Sequence, residues 1–468
     1  MKKISGLVVL MVASLLIAAC GNGGGRSYAD CETPDGTQAC FNAEDMTYRI
    51  EDGLKEDGAE LTIGLDNTDY GNAIVAKWNE TYPELKDKVK FIDYEASGAA
   101  DKITEQAEEA PDVVFVIDGE VPRNMQSVFA LHQYIEDMGT DNGFKPANDL
   151  INSGNYVYLP TVFDGMAFSW NKTMLEELGY STEDADGDGL PDAFDTWEEI
   201  FALSDEWDTT RPTYKGDTVN VVYPMSLTEV WSGYSSVTAD GWEIFAEGDP
   251  TKPGYEKESF KNGLAFIKEA AEHKISVEAD GTVTPGTSMS WRWDNYLNDE
   301  FSPFALVGTW MNVEEAETNS GSDFKFSVMP TYDGTRLTPF VKTKGFVVNA
   351  NTSYPSAAHE LLRLIYSEEG FQTLVDNSSY IPGLQEDSEF NPTYEGTNRK
   401  EMSAAFAENY VEPNFVLPNN TAKAAMDVYY EITLDTFYAA VWDGTKTPAE
   451  AQTEIVALAE QWYEENNK

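Results

Sequence analysis

A run of residues with closely spaced carboxylates occupies positions 184–195 of the chain. Its side-chain oxygens stand at the first, third, fifth, ninth and twelfth positions and glycine at the sixth, which is the spacing of a calcium-binding loop. The predicted ligands are Asp184, Asp186, Asp188, Leu190 through its backbone carbonyl, Asp192 and Asp195. Aspartate replaces the usual bidentate glutamate at the twelfth position, and Pro191 disfavours a full helix–loop–helix hand. The pattern predicts a structural Ca²⁺ site, and the alternative is an acidic turn without metal.

A second candidate is a tryptophan at the end of an apolar run, where residues 304–310 read FALVGTW. A short apolar run bounded by a glycine is typical of a buried strand in an α/β sheet. Trp310 would then lie beyond the strand, where open α/β sheets bind ligands. Its flat face suits the CH face of a sugar or the ring of another ligand. The alternative is that Trp310 fills the core.

The charge balance limits the possible ligands. The 31 Lys+Arg and 82 Asp+Glu residues give a net charge of -51, which disfavours nucleic acid and, without a local basic pocket, any anionic ligand. A neutral ligand or a cation fits better.

At 468 residues the chain exceeds one ordinary core, so two lobes are expected.

No catalytic motif is evident. None of the three histidines, His132, His273 and His359, neighbours a nucleophile motif. The sequence also lacks a Walker-type loop, a Gly-x-Ser-x-Gly element and zinc-ligand spacing. We therefore predict no catalytic residues and no catalytic cofactor.

The first twenty residues have the features of an export signal. Residues 1–3 are basic, residues 7–17 are apolar, and two small residues precede Cys20. Residues 17–20 (IAAC) resemble the lipobox of bacterial lipoproteins. This implies that Cys20 carries acyl chains such as palmitate, which anchor an extracytoplasmic body to the bacterial cell membrane. Cys31 and Cys40 are then left as a pair that an oxidising compartment allows to form a disulfide, with two free thiols as the alternative.

Strand and helix patterns alternate beyond residue 60. Apolar strands are predicted at 60–65, 89–92 and 111–117, with helices at 73–78 and 99–109 between them. This alternation indicates βαβ units and a parallel sheet. Residues 21–58 are rich in glycine and acidic residues without a sustained apolar period, which predicts a flexible tether.

Capping boxes mark two later helices. One has Asp195 or Thr196 as N-cap, with Glu198 or Glu199 near the third position. The other occupies residues 447–450 and begins the last helix.

Several short motifs follow one another in a characteristic order. They are 111–115 (PDVVF), 159–160 (LP), 171–172 (NK), 196–200 (TWEEI), 239–241 (ADG), 308–310 (GTW), 329–331 (MPT) and 339–341 (PFV). In this order the chain resembles the extracellular solute-binding proteins of ABC importers, specifically the maltose/maltodextrin-binding branch. The resemblance implies an α/β fold of two lobes that close on sugar by a hinge, with crossings near Phe163, Val341 and Gln385. It implies an N-lobe of residues 59–163 and 342–385 and a C-lobe of 164–341 and 386–468.

The same resemblance places a sugar site. Asp164 falls at the family's hinge-side carboxylate and Trp310 at its stacking tryptophan. Glu229 and Trp231 match its Glu-Pro-aromatic element, with Val230 replacing the proline and tryptophan replacing the usual tyrosine. Carboxylates accept hydrogen bonds from neighbouring hydroxyls, and aromatic rings stack on sugar faces. For Asp164 and Glu229 the alternative is a hinge or surface salt bridge.

Three further candidates lie where the chain departs from the family pattern. Asn67 belongs to a first loop that lacks the family's Asp-Lys pair, and Asp118 lies where its Asp-Arg pair is blurred. Tyr430 or its neighbour Tyr429 is a candidate replacement for the second stacking tryptophan, near residues 413–415. The resemblance therefore implies a carbohydrate, with maltodextrin favoured and the sugar's length and linkage open.

The sequence favours a receptor over an enzyme: a lipid-anchored protein that passes a neutral oligosaccharide to ABC permease subunits. One alternative is a polyamine or peptide receptor of the same fold, since the negative charge suits a polyamine. Another is a surface glycoside hydrolase, which needs two carboxylates at a fixed separation. With 82 acidic residues, such pairs are too common to be evidence.

Overall fold

The computed structural model describes residues 38–50, 56, 58–152, 155–228, 230–246, 252–278, 280–283, 293–385, 387–409 and 427–466. Its strands are β1 Phe41–Asn42, β2 Thr47–Tyr48, β3 Leu61–Leu65, β4 Val89–Asp93, β5 Val113–Ile117, β6 Leu159–Asn171, β7 Thr213–Tyr214, β8 Asp217–Thr218, β9 Phe304–Gly308, β10 Phe324–Ser327, β11 Thr331–Tyr332, β12 Thr335–Arg336, β13 Val341–Val348 and β14 Ile381–Pro382. Its helices are α1 Thr68–Thr81, α2 Ala99–Glu105, α3 Gln133–Asn142, α4 Lys145–Ile151, α5 Lys172–Glu177, α6 Trp197–Thr210, α7 Val230–Val237, α8 Glu258–Glu272, α9 Trp293–Asp299, α10 Val313–Ser320, α11 Pro355–Ile365, α12 Glu368–Asn377, α13 Asn398–Asn409, α14 Asp427–Glu431, α15 Leu434–Trp442 and α16 Pro448–Asn466. Within these ranges, no helix combines the length and the apolar character needed to cross a membrane.

One eight-stranded sheet runs through the molecule. Its order is β10-β6-β13-β5-β3-β4, and β9 and β14 also pair with β6. Strand β3 is parallel to both β4 and β5, which confirms the predicted βαβ units. Strand β6 is antiparallel to each of its partners. The architecture is thus the predicted two-lobed α/β fold, with separate hydrophobic cores on the two sides.

Strand β6 is longer than its sequence pattern indicates. In the sequence, Asp164 and Gly165 interrupt its apolar residues, but the structure has one strand of 13 buried residues. Its ladder with β13 spans the interruption, pairing Val341 with Gly165. A Cβ on Gly165 would lie 2.6 Å from the carbonyl oxygen of Phe340, so only glycine allows this close approach.

The three predicted crossings lie side by side. Strands β13 and β14 both pair with β6, and Ile381 of β14 is opposite Phe163. Shortly after β14, the backbone N–H of Gln385 donates to the carbonyl of Asn142. The exact lobe boundaries stay a prediction.

Part of the predicted tether is folded. Strands β1 and β2 form a hairpin within residues 38–50, and its Phe41 and Tyr48 are buried in the core around β3. The backbone N–H of Tyr48 donates to Glu360 on α11. The tether prediction is therefore wrong for this segment, because long-range docking orders a stretch that has no periodic pattern of its own.

The two capping boxes predicted from the sequence are present in the structure. Thr196 caps α6 in a reciprocal box with Glu199, and Thr447 exchanges the same bonds with Glu450 at the start of α16.

Candidate functional site

The end of β9 holds Trp310 against the central strand. Beyond the pairing of Gly308 with Met166, Thr309 donates its backbone N–H to the carbonyl of Gly165, and Gly165 donates to Oγ1 of Thr309, at 3.0 and 3.1 Å. A Cβ on Gly308 would lie 2.5 Å from Cε2 of Trp310, so the indole folds back over this glycine. Trp310 is 39% exposed. The buried strand with an exposed tryptophan at its end is confirmed.

The ammonium group of Lys342 lies among aromatic side chains next to Trp310. The ring of Trp231 lies edge-on to that of Trp310, with centroids 5.7 Å apart, and 4.7 Å from that of Phe340. Nζ of Lys342 lies 5.1 Å from the ring centroid of Trp231 and 5.3 Å from that of Tyr430. The structure thus brings together three of the predicted residues, Trp231, Trp310 and Tyr430. We call these rings with Phe340 the aromatic cluster.

Asp164 lies beside this cluster in the middle of β6. Only 8% of Asp164 is exposed, and Nζ of Lys344 lies 3.8 Å from its Oδ1 and 3.2 Å from Oδ2 of Asp66. Tyr380 donates its hydroxyl to the other oxygen of Asp66. Burial raises the pKa of Asp164, while the charges of Lys344 and Lys342 oppose this effect. The salt-bridge alternative for Asp164 is therefore present, and it fixes the carboxylate next to the aromatic cluster.

Lys342 and Lys344 are the residues that the sequence patterns missed. They alternate along β13, so their side chains project from the same face of the strand. Burial acts to lower the pKa of Lys342, but its interactions with Tyr430, Asp118 and Asp164 outweigh burial and raise that pKa. Lys342 therefore stays charged. Two cations at alternate positions in an otherwise buried strand were the signal that could have identified them.

Two residues that were predicted to bind the sugar have other hydrogen-bond partners. Asp118 is fully buried, and its Oδ2 accepts hydrogen bonds from the backbone N–H and the hydroxyl of Thr343 at 2.6 and 2.9 Å. Burial raises the pKa of Asp118 to about 6, against the hydrogen bonds from Thr343 and the charge of Lys342. Oδ1 of Asn67 accepts from the N–H of Tyr70 and caps α1. The structure therefore bonds Asp118 to Thr343 of β13 and uses Asn67 as a helix cap, and the sugar contacts of both residues stay a prediction.

Four predictions cannot be placed. Cys20, Cys31, Glu229 and residues 413–415 lie outside the described residues. Cys40 is buried and disulfide-bonded. Its pairing with Cys31 stays a prediction.

The acidic loop draws several predicted calcium ligands together. Carboxylate oxygens of Asp184, Asp186 and Asp188 lie within 4.8 Å of one another. Oδ1 of Asp195 is buried without a hydrogen-bond partner, and burial, followed by the charges of Asp188 and Asp186, raises the pKa of Asp195 to about 6. An orphaned buried oxygen beside other carboxylates is what a hard cation would satisfy.

The remaining two predicted ligands differ in their surroundings. Asp192 accepts from the N–H of Ala185 at 2.8 Å, and Leu190 is buried with its N–H donated to Asp188. Nε1 of Trp170, at the end of β6, donates to the carbonyl of Gly189. The loop is therefore attached to the central strand and precedes α6 directly.

Comparisons with known proteins agree with this geometry. A family model described as bacterial extracellular solute-binding protein matches residues 73–397. The maltodextrin-binding protein of L. casei BL23, solved without ligand, is 16% identical with a TM-score of 0.62, covering 86% of this chain and 98% of its own. A cyclo/maltodextrin-binding protein complexed with maltotetraose is also 16% identical, with a TM-score of 0.65 and coverage of 89% and 99%. No curated protein matches the sequence.

Proposed function

Because the chain belongs to the family of bacterial extracellular solute-binding proteins, we propose that it captures a neutral oligosaccharide and delivers it to the permease of an ABC importer. Maltose or a maltodextrin is the favoured ligand. The two lobes would close on the sugar by bending at the crossings, and the protein would carry out no chemistry on it.

One observation carries this proposal: the reciprocal hydrogen bonds between Gly165 and Thr309. They join the two backbone segments that carry Asp164, the residue before Gly165, and the exposed Trp310, the residue after Thr309. Asp164 can accept bonds from sugar hydroxyls while Trp310 offers a flat face for the ring. This combination suits a polyhydroxyl ligand.

The lysines argue against a polyamine as the ligand. A polyamine would need free aromatic faces and unpaired carboxylates, because these are the groups that attract an ammonium. Here Lys342 already lies over Trp231 and Tyr430, and Lys344 already pairs with Asp66 and Asp164. A neutral ligand avoids the resulting repulsion.

Calorimetry on the purified protein tests the function. The panel is maltose, maltotriose, longer maltodextrins, other neutral oligosaccharides, spermidine and a peptide mixture. We expect saturable binding of an oligosaccharide, lost in Trp310→Ala and kept in Trp462→Ala, a matched change on α16. Binding of spermidine or peptide alone would overturn the sugar ligand, and slow conversion of a sugar would identify an enzyme.

We also propose that the acidic loop binds a structural Ca²⁺ through Asp184, Asp186, Asp188 and Asp195. Two observations support it: the carboxylate oxygens of the first three residues lie close together, and Oδ1 of Asp195 is buried without a hydrogen-bond partner. The ion would neutralise carboxylates that otherwise repel one another and would fix the loop between β6 and α6. Its expected role is stability, without contact to the sugar.

Thermal unfolding with Ca²⁺ and with chelator tests the metal. We expect Ca²⁺ to raise the melting temperature by a few degrees, because a ligand that binds only the folded state stabilises it. Asp186→Asn should abolish this rise, while Asp217→Asn, an exposed control on β8, should keep it. The same melting temperature in Ca²⁺ and in chelator would contradict the proposal.

The membrane anchor completes the proposed function. Lipidation of Cys20 would hold the receptor near its permease on the extracytoplasmic face of the membrane. Mass spectrometry of the protein from a bacterial host should show an acylated Cys20 as the first residue. Detergent-independent release of the mature protein would exclude the anchor.

A further inference from the structure

A cavity of about 490 Å³ opens beside Trp310. It lies between α9 and α10, and its lining includes Asn298, Trp310, Met311, Asn312, Glu315 and Asn319. This volume falls within the range of about 300–1,000 Å³ that is usual for small-molecule sites.

The cavity wall is built from one face of α10. Asn312, Glu315 and Asn319 are spaced by three and four residues, which places them on the same side of a helix. Ala316, on the same side, contributes only a methyl group and leaves room between the helices. Asn298 of α9 and the indole of Trp310 complete the wall.

The lining favours an uncharged ligand with many hydroxyls. Amide side chains both donate and accept hydrogen bonds, as hydroxyl-rich ligands require, and the indole supplies an apolar face. None of the described lining residues is basic, so an anion would find no counter-charge. These are the groups expected around a sugar ring.

Two of the three amides are available for a ligand. Asn312 is used within the helix end, where its Oδ1 accepts from the N–H of Glu315 and its Nδ2 donates to the Glu315 carboxylate, both at 3.2 Å. In the described part of the chain, the exposed side chains of Asn298 and Asn319 have no hydrogen-bond partner.

Trp310 connects the cavity with the proposed sugar site. Its ring contacts Trp231 of the aromatic cluster and also lines the cavity. A chain of sugar rings that passes over the exposed indole would therefore move from the cleft directly into the cavity.

We propose that this cavity is a distal subsite for the same oligosaccharide, in which Asn298 and Asn319 bind the hydroxyls of a terminal sugar unit. The proposal rests on the function proposed above and adds that the preferred ligand is longer than the cleft alone requires. Recognition there depends on hydroxyl positions, so it also contributes to linkage specificity.

The test measures affinity against ligand length with the purified protein. The probes are maltose, maltotriose, maltotetraose and maltohexaose, with matching cello- and xylo-oligosaccharide series. Affinity should rise about tenfold once a unit reaches the cavity, the effect of one or two net hydrogen bonds. The double variant Asn298→Ala/Asn319→Ala should lose this gain with length. The control Thr318→Ala, whose hydroxyl donates within α10, should keep it.

The possible results separate the two proposals. Equal affinity at all lengths, or a length gain that survives in the double variant, would overturn the distal subsite and leave the receptor function standing. Absence of binding at every length and in every series would overturn the function itself. Circular dichroism of the double variant checks that a lost gain does not reflect unfolding.

Discussion

The position of Trp310 depends on the residue two places before it. A methyl group on Gly308 would lie 2.5 Å from Cε2 and Cζ2 of the indole, and no side-chain atoms approach that closely without a shift. Gly308→Ala should therefore push the ring away and weaken sugar binding by about tenfold, a loss typical of a misplaced stacking contact. Calorimetry measures this loss.

The control for this prediction is another glycine with room for a methyl group. At Gly396 the nearest atom would be 3.7 Å away, an ordinary contact. Gly396→Ala should bind sugar as the native protein does. Unchanged affinity in Gly308→Ala would mean that the indole does not need its present position.

Asp118 makes the folding stability depend on pH. Burial raises its pKa from 3.8 to about 6 in the folded protein, so the folded state binds a proton more tightly than the unfolded state does. The contribution of Asp118 to stability is therefore largest below about pH 4 and falls as the pH rises through 6. Asp118→Asn stays neutral, and its amide oxygen can still accept from Thr343.

Urea unfolding at about pH 4 and pH 7.5 checks this prediction. The difference in the free energy of unfolding between Asp118→Asn and the native protein should shift in favour of the variant from about pH 4 to pH 7.5. The shift should reach up to about 3 kcal/mol, which corresponds to the two-unit change in pKa. Asp93→Asn, an exposed control on β4, should show no such gain. Parallel pH profiles for native protein and Asp118→Asn would contradict the shifted pKa.

Besides the bond from Tyr48 to Glu360, Glu56 attaches the N-terminal segment to helix α11. Both carboxylate oxygens of Glu56 accept at the helix start, from the N–H groups of Ser356 at 2.7 Å and Ala357 at 2.8 Å. Glutamine can supply only one acceptor, so Glu56→Gln should cost about 1–3 kcal/mol in the free energy of unfolding. Glu44→Gln, an exposed change on the hairpin, is the control and should cost nothing measurable. Equal denaturation midpoints would show that this cap is unimportant.

The elements that the sequence predicts well are those whose signals are local. The capping boxes at Thr196 and Thr447 and the apolar run of β9 depend on neighbours within a few residues. Strands β6 and β13 have no continuous local signal, because Asp164 and the two lysines interrupt their apolar runs. In the folded chain these charges are neutralised by partners far away in sequence, as Lys344 is by Asp66. No local pattern contains that information.

The residues of the candidate site also divide into those with a local sequence signal and those without one. Trp310 follows from its own strand, whereas Trp231 and Asp164 required a family resemblance to be singled out. Asp118 was assigned to the sugar although the family's Asp-Arg pair is blurred there, and the structure shows it buried and bonded to Thr343. The partner of a carboxylate is decided by packing that the sequence does not display.

At the scale of the molecule, the three predicted crossings meet at one charge network. Asp164 lies on β6, Lys344 on β13, and Tyr380 directly before β14, while Asp66 follows β3. Any bending between the lobes has to preserve or rearrange these contacts. The network would therefore couple the predicted hinge to the carboxylate that is proposed to bind sugar.

Removal of the shared cation should affect both stability and binding. Lys344→Met leaves Asp66 and Asp164 facing each other without their common partner, which should cost about 3 kcal/mol and weaken sugar binding. Lys344→Arg keeps the charge and should recover most of the stability. Denaturation and calorimetry measure the two effects, and a stable Lys344→Met protein with native affinity would show that the network is dispensable.

Hinge closure can be observed directly by small-angle X-ray scattering. A ligand that contacts both lobes stabilises the closed arrangement, so saturating oligosaccharide should decrease the radius of gyration. Trp310→Ala should show no decrease at the same ligand concentration, because it lacks the proposed stacking contact between the sugar and the indole that follows β9. Lys344→Arg should close as the native protein does, since its charge network is retained. A radius of gyration that stays constant while calorimetry shows the sugar bound would mean that the lobes do not move, and that a permease recognises the bound ligand or its immediate surroundings instead of the closed shape.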